Sequence, residues 1–155
     1  MIRIYDEQKS ENTFPVAIVV SRFNLPITEE LLNGALKRLK EKNFHDDQIM
    51  VAWVPGAVEI PIAAQRFAQQ GTVDAVIALG AVIRGETSHY DYVCDQASQG
   101  CQQVALQNDV PVIFGVLTTE NGEQAGARIG GAKGHKGIES VDAAIETVAL
   151  LRRIS

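Results

Sequence analysis

The sequence lacks the features that mark membrane-spanning, secreted and nucleic-acid-binding proteins. It contains no run approaching the ~20 apolar residues of a membrane-spanning helix, and its first residues, MIRIYDEQKSENT, lack the apolar core of a secretory signal. The formal net charge is −5, which argues against nucleic acid or an anionic membrane as the main partner. We therefore expect a cytoplasmic protein with no nucleic-acid partner and no membrane partner.

Cysteine is scarce, and its placement excludes a disulfide within one helix. Cys94 and Cys101 are seven residues apart in one helical pattern, which separates them by about 10 Å along the axis. A disulfide needs Cα atoms within roughly 7 Å of each other. The two cysteines also form no metal-ligand cluster with the three histidines. We interpret both as small apolar residues of the protein interior.

The apolar residues that are present alternate between strand-like and helix-like patterns. The length of 155 residues predicts one domain, residues 1–155. Continuous apolar runs at 16–20, 49–54, 75–79 and 112–117 are typical of strands covered on both faces. Helices are predicted over 59–70, 90–108 and 138–153, with another beginning at Thr28 as N-cap and a short one after Asn121. This alternation predicts an α/β fold with a four-stranded parallel sheet between helices, plus a short N-terminal strand at 1–5.

Ligands of parallel sheets bind at the carboxyl ends of the strands, so we examined the segments that follow each predicted strand. Phe23 and Phe114 are assigned to such ends, where a ring can stack on a planar heterocycle, although most aromatic residues serve packing. Glu59 can accept hydrogen bonds from a polyol, or it can simply be a favourable first-turn charge.

Two segments suit a phosphate group. GETSH (85–89) joins the third strand to the third helix, where glycine, Thr87 and a helix N-terminus form a plausible phosphate cradle; an ordinary N-cap is the alternative. His89 can transfer protons near neutral pH, or it is a solvated first-turn residue. Arg128 opens a basic, glycine-rich stretch with Lys133 and Lys136, which can equally be a flexible linker. The sequence thus predicts a protein that binds a phosphorylated small molecule, without naming the reaction.

Five strings occur together over most of the chain: RFN (22–24), VPGAVEIP (54–61), ALGAVIRGETSHYDYV (78–93), PVIFGVLTTEN (111–121) and AR…HKG (127–137). In this order and spacing they resemble the lumazine synthase family. The resemblance implies a flavodoxin-like three-layer α/β/α sandwich. It also implies condensation of 5-amino-6-(D-ribitylamino)uracil with 3,4-dihydroxy-2-butanone 4-phosphate, releasing phosphate and water, with no metal or organic cofactor.

The resemblance also implies a role for each matching residue. His89 is the implied proton shuttle. Contacts to the ribitylaminouracil are implied for Phe23, Ala57, Val58, Glu59, Ala81, Val82, Ile83 and Phe114. Contacts to the butanone phosphate are implied for Glu86, Thr87 and Arg128. Where His135 precedes Lys136 the family often has asparagine, and a threonine–lysine pair often replaces Gly131 and Ala132, so Lys133 and Lys136 are left out of the predicted site.

Assembly is a further expectation from the family. Members of the family form pentamers. In these, the residues that match Phe114 and Arg128 reach the residues of the neighbouring subunit that match Phe23, Glu59 and His89. Some members build sixty-subunit shells, which the short segment 128–136 favours here, and riboflavin synthase is an expected partner. The alternatives are a related riboflavin synthase, which would need no phosphate site, and a flavin- or lumazine-binding flavodoxin-like module, which would need a glycine-rich loop after the first strand. That segment reads SRFNLPIT.

Overall fold

A parallel four-stranded sheet forms the centre of the protein. The computed structural model describes residues 1–154. The strands lie in the order β2-β1-β3-β4, and all pairs are parallel. All four predicted strands are confirmed, and the first, third and fourth extend further than predicted. Their bounds are β1 Val16–Ser21, β2 Ile49–Val54, β3 Ala75–Ile83 and β4 Val112–Thr119.

Helices cover both faces of this sheet, which confirms the predicted three-layer sandwich. On one face lie α1 (Leu25–Glu41) and α5 (Lys136–Ile154), and on the other lie α2 (Ile60–Gln70) and α3 (His89–Asn108). The short helix α4 (Gly122–Gly126) follows β4. Every residue of β1 is buried, because its alternate side chains enter the two cores. None of the helices within residues 1–154 is long and apolar enough to cross a bilayer.

The first helix begins earlier than predicted. Thr28, the predicted N-cap, is fully buried inside α1, and its hydroxyl donates a hydrogen bond to the carbonyl of Leu25 at 3.3 Å. The residue before the helix is Asn24, in the left-handed conformation with φ 64°. Pro26 then occupies the first turn, where its fixed φ suits a helix and its missing N–H costs nothing. The proline therefore marks the helix start better than the threonine does.

The N-terminal segment does not join the sheet of its own chain. Residues 1–5 form no strand in the structure, and Met1, Ile2 and Ile4 are exposed. The predicted short N-terminal strand is therefore not formed within this chain. The sheet ends at β2 on one side, where Met50 and Val51 are also exposed, and an edge strand can pair with another chain.

The glycine-rich stretch before the last helix is an ordered hairpin and not a linker. Strands β5 (Ile129–Gly131) and β6 (Gly134–His135) pair antiparallel. Nδ1 of His135 accepts hydrogen bonds from the N–H groups of Gly137 at 3.1 Å and Ile138 at 3.3 Å, so this ring caps α5. The imidazole also occupies the space that a Cβ atom on Gly34 of α1 would need.

Both cysteines lie on α3 as free thiols, as predicted. Cys101 is buried, and burial raises the pKa of its thiol to about 11, because a low-dielectric surrounding disfavours the thiolate. Cys94 is only half-buried, and burial raises the pKa of its thiol as well. The protonated thiols act as small apolar groups in the packing against the sheet.

Candidate functional site

The candidate site lies where β1 ends before its neighbour β3. Pairing between these strands stops at Val20 and Leu79, whereas β3 continues to pair with β4 as far as Ile83 and Thr119. Residues 81–83 therefore have no strand partner on the side facing β1. The strand order also reverses at β1, which is the position where sheets of this topology bind ligands.

A cleft of about 220 Å³ occupies this position. Its lining is mostly apolar, and Gly56 and Val93 contribute to it. A cleft of this character suits a planar organic molecule that is oriented by a few polar groups. Seven residues of the predicted site are brought together here: Phe23, Ala57, Val58, Ala81, Val82, Ile83 and His89.

Phe23 presents its ring to the cleft from a fixed backbone. Its side chain is 71% exposed, so the ring is no part of the core. Its N–H donates to the carbonyl of Pro55 at 3.0 Å. The next residue, Asn24, donates from Nδ2 to the carbonyl of Ala81 at 2.8 Å and so joins the end of β1 to β3. Sequence reasoning assigned Asn24 no role, although an asparagine directly before a proline-containing first turn was a signal for a special backbone conformation.

Glu59 lies beside the cleft and is half-buried. Its Oε1 accepts a hydrogen bond from the N–H of Gly56 at 2.9 Å, which closes the short 3-10 turn Ala57–Glu59. One carboxylate oxygen therefore serves the local fold, a role that neither interpretation of Glu59 from the sequence included. The turn closed in this way holds Ala57 and Val58 at the wall of the cleft.

The loop of residues 85–88 leads from β3 into α3 above the cleft. Glu86 and Thr87 are both exposed, and His89 is the first residue of the helix. The hydroxyl of Thr87 accepts a hydrogen bond from the N–H of His89 at 3.3 Å, so it already serves the helix start. The first turn of α3 still points N–H groups and the positive end of its dipole towards this loop.

Arg128 lies in a second, separate pocket. This pocket of about 300 Å³ brings Arg128 together with Lys133 and Lys136, and Glu139 of α5 also lines it. The hairpin fixes the arrangement, because the N–H of Lys136 donates to the carbonyl of Arg128 at 2.8 Å. Lys133 and Lys136 were left out of the predicted site, yet the structure groups them with Arg128. The basic pocket and the cleft share no lining residue.

Phe114 does not lie at the carboxyl end of its strand, contrary to the prediction. It is the third of the eight residues of β4 and pairs with Ala78. Thr119, the last residue of the strand, lies five positions further on, which is about 17 Å of extended chain. The strand continues past Phe114 because its last residues pair with the long β3. Phe114 is half-buried and packs on the core beneath α2 and α3.

A larger but shallower depression of about 610 Å³ runs along α3. Uncharged side chains line it, so it offers no group for acid–base chemistry: Ser98, Gln99, Gln102, Gln103, Leu106 and Gln107. The part of the chain that the structure describes also contains no group of three His, Cys, Asp or Glu side chains able to hold a metal ion. The chemistry-bearing residues are those of the cleft, the adjoining loop and the basic pocket.

Comparison with known proteins identifies the family. The profile of the 6,7-dimethyl-8-ribityllumazine synthase family matches residues 13–152. Three similar proteins, from the Dugway, CbuG and Nine Mile strains of Coxiella burnetii, are each named 6,7-dimethyl-8-ribityllumazine synthase. They are 56%, 57% and 57% identical over 145 residues, which cover 94% of this chain and 96% of each relative. The predicted resemblance is confirmed, and the chain belongs to the 6,7-dimethyl-8-ribityllumazine synthase family.

Proposed function

We propose that this protein condenses 5-amino-6-(D-ribitylamino)uracil with 3,4-dihydroxy-2-butanone 4-phosphate to 6,7-dimethyl-8-ribityllumazine, releasing phosphate and water, as the penultimate step of riboflavin biosynthesis in the cytoplasm. The observation that carries the proposal is the cleft at the end of β1, where an exposed Phe23 ring, an unpaired strand edge and His89 meet. The family relationship supports the same reaction, which needs no metal or organic cofactor.

The cleft suits the ribitylaminouracil. The ring of Phe23 is free to stack on the pyrimidine. Asn24 occupies the carbonyl of Ala81, and the remaining backbone groups of residues 81–83 that face away from β4 can pair with the polar edge of a uracil. Ala57, Val58 and Glu59 follow the neighbouring strand, and there they contact the ribityl chain.

The phosphate of the second substrate binds at the start of α3. Glu86 and Thr87 contribute mainly backbone N–H groups, with the threonine hydroxyl as a further donor, because a helix N-terminus favours an anion. Arg128 adds a charge-assisted pair of hydrogen bonds from its planar guanidinium. The basic pocket makes Arg128 suitable for this task, since Lys133 and Lys136 add to the local positive charge.

The chemistry consists of proton transfers and needs no strong nucleophile. The amine of the uracil attacks the ketone and forms an imine with loss of water. Phosphate then leaves by elimination, and ring closure releases a second water. His89 lines the cleft and carries protons between these steps. Holding the two reactants in register supplies most of the acceleration.

Two predicted contacts need a neighbouring subunit. Arg128 lies in a pocket separate from the cleft, and Phe114 lies far from the carboxyl end of β4. In a head-to-tail ring, the neighbour's copies of these residues can complete the cleft of this chain. Pentamers, their assembly into a sixty-subunit shell and an association with riboflavin synthase follow the family pattern. The exposed segment 1–5, which carries the apolar side chains of Met1, Ile2 and Ile4, suits pairing with an exposed β2 edge of another subunit.

Incubation of the purified protein with both substrates tests the proposal. We expect formation of the lumazine, followed by its absorbance, with one inorganic phosphate released per product. A second incubation supplies lumazine alone, which a riboflavin synthase would convert to riboflavin without releasing phosphate. Riboflavin formation in that incubation, or no lumazine and no phosphate from the two substrates, would show that the proposed function is wrong.

Replacing Phe23 should impair binding and leave stability nearly unchanged. Phe23→Ala should raise the KM for the ribitylaminouracil, because the stacking surface is lost. Phe14 is a matched control, since it is 2% exposed and lies in the core. A buried Phe→Ala change costs about 3–5 kcal/mol of stability, so Phe14→Ala should lower the melting temperature sharply. A large loss of stability in Phe23→Ala with an unchanged KM would contradict the stacking role.

Arg128 should matter at least as much as His89. General acid–base assistance contributes ~10²–10⁴-fold, and we place His89→Ala near the low end, because water can carry protons in an open site. Arg128→Ala removes an anchor of the phosphate, so the butanone phosphate binds more weakly and in the wrong orientation. Steady-state kinetics of both variants are compared with Arg66→Ala, an exposed arginine of α2 outside both pockets. Abolished turnover in His89→Ala beside a nearly wild-type Arg128→Ala would refute this ranking.

Mixed rings test whether neighbouring subunits share the site. Subunits with a severe His89 lesion and subunits with Arg128→Ala are co-expressed in equal amounts. If each site takes His89 from one subunit and Arg128 from the next, roughly a quarter of the sites in randomly mixed rings are intact. Activity should then rise well above that of either variant alone. Verified mixed rings with only the mean activity of the two variants would place the site within one chain.

A further inference from the structure

Arg84 connects three elements around the loop of residues 85–88. It follows β3 directly, and its N–H donates to the carbonyl of Thr119 at 2.9 Å. Its Nε lies 2.7 Å from Oε2 of Glu120, just after β4. A terminal nitrogen lies 3.3 Å from Oδ1 of Asp91 in the first turn of α3, and the guanidinium sits 4.4 Å from the ring centroid of Tyr90. One side chain thus contacts the structure on both sides of the loop.

The loop has few contacts of its own. Residues 85–88 are all exposed, and a Cβ atom on Gly85 would meet no atom within 4 Å. Among the described residues, the side chains of this loop make one hydrogen bond, between Thr87 and the N–H of His89. Its position is therefore determined by the residues that hold its two ends, which are Arg84 before it and the first turn of α3 after it.

We propose that Arg84 is a positioning residue that holds the loop 85–88 in the geometry that binds the phosphorylated substrate. This inference rests on the proposed function. The guanidinium joins the end of β3 to Tyr90 and Asp91 of α3 and to Glu120 beyond β4, so the two ends of the loop keep a constant separation. The N–H groups of Glu86 and Thr87 then converge on one point, as a phosphate group requires.

Arg84 does not itself bind the phosphate. Asp91 and Glu120 already surround its guanidinium, and these two carboxylates would repel a second anion at the same place. Although burial opposes the charged form, Glu120 and Asp91 raise the pKa of Arg84 above its ordinary value. The guanidinium therefore stays charged at every relevant pH. The anchoring cation for the phosphate is Arg128.

The arrangement requires arginine and not simply a positive charge. A planar guanidinium can serve two carboxylates along different edges while its face lies on an aromatic ring, whereas a lysine ammonium is a point charge. All three charged side chains are well exposed, at 38% for Arg84, 57% for Asp91 and 60% for Glu120. Ion pairs of this kind contribute little to stability. Loss of the Arg84 contacts should consequently be visible in substrate binding and not in the melting temperature.

The test measures each substrate separately in Arg84→Lys and Arg84→Met. We expect kcat/KM for the butanone phosphate to fall ~10- to 100-fold, as for a small misplacement of a substrate-binding group. The KM for the ribitylaminouracil should change by less than about twofold, because Arg84 does not line the cleft proposed to bind this substrate. The melting temperature should stay near that of the wild type, and Arg66→Met is the matched control. Lysine should rescue little of the loss.

A second variant tests the same proposal if Arg84→Met fails to fold. Glu120→Gln keeps the arginine and removes one of its partners, so the same selective loss should appear in weaker form. In the double variant Arg84→Lys/Glu120→Gln the two losses should be less than additive, because both changes break the same contact between Arg84 and Glu120.

Three outcomes would overturn the inference. They are unchanged kinetics for both substrates, an equal loss for both, or full activity in Arg84→Lys. A wild-type protein that forms no lumazine overturns the proposed function and this inference together. An active wild type with unaffected Arg84 variants overturns the inference alone.

Discussion

The unequal length of two neighbouring parallel strands determines the site. β1 has six residues and β3 has nine, so the chain leaves the sheet at Ser21 while β3 continues. This departure requires close backbone approach, since a Cβ on Gly80 would come within 2.7 Å of the buried hydroxyl of Ser21. The N–H of Arg22 then donates to the carbonyl of Val54 at 2.8 Å, which directs the chain across the end of β2. The exposed Phe23 ring and the unpaired strand edge both result from this geometry.

The sequence predicted most of the fold because burial on both faces of the sheet forces continuous apolar runs. It could not predict the register between β3 and β4, which depends on contacts between distant residues. Phe114 was misplaced for another reason, since the predicted run 112–117 already puts it near the start of the strand. Thr28 was mistaken for a cap because its hydroxyl serves equally well inside a helix. The hairpin before α5 was missed because its strands have only three and two residues, too few for a periodic pattern. Phe23 and His89 could be named because they follow predicted strands, whereas the other predicted residues of the cleft were implied only by the family resemblance.

Net charge described the electrostatics of the protein poorly. The chain carries a formal charge of −5, yet its arginines have distinct local environments. Arg38 of α1 lies 2.8 Å from Asp142 of α5, and this hydrogen-bonded carboxylate raises the pKa of the arginine while joining the two helices. Arg128 makes no ion pair among residues 1–154 and lies beside two lysines. The basic pocket therefore gathers three cationic side chains against the single carboxylate of Glu139, whatever the overall sign.

The fit between Gly34 and His135 limits how this chain can diverge. The imidazole occupies the volume beside the α1 backbone that any side chain at position 34 would need, and the same ring caps α5. A larger residue at position 34 is tolerable only with a smaller residue at position 135, and that smaller residue must still accept hydrogen bonds from two N–H groups. Asparagine and serine meet this condition, whereas alanine and leucine do not. The two positions, separated by most of the chain, are thus expected to accept substitutions as a pair.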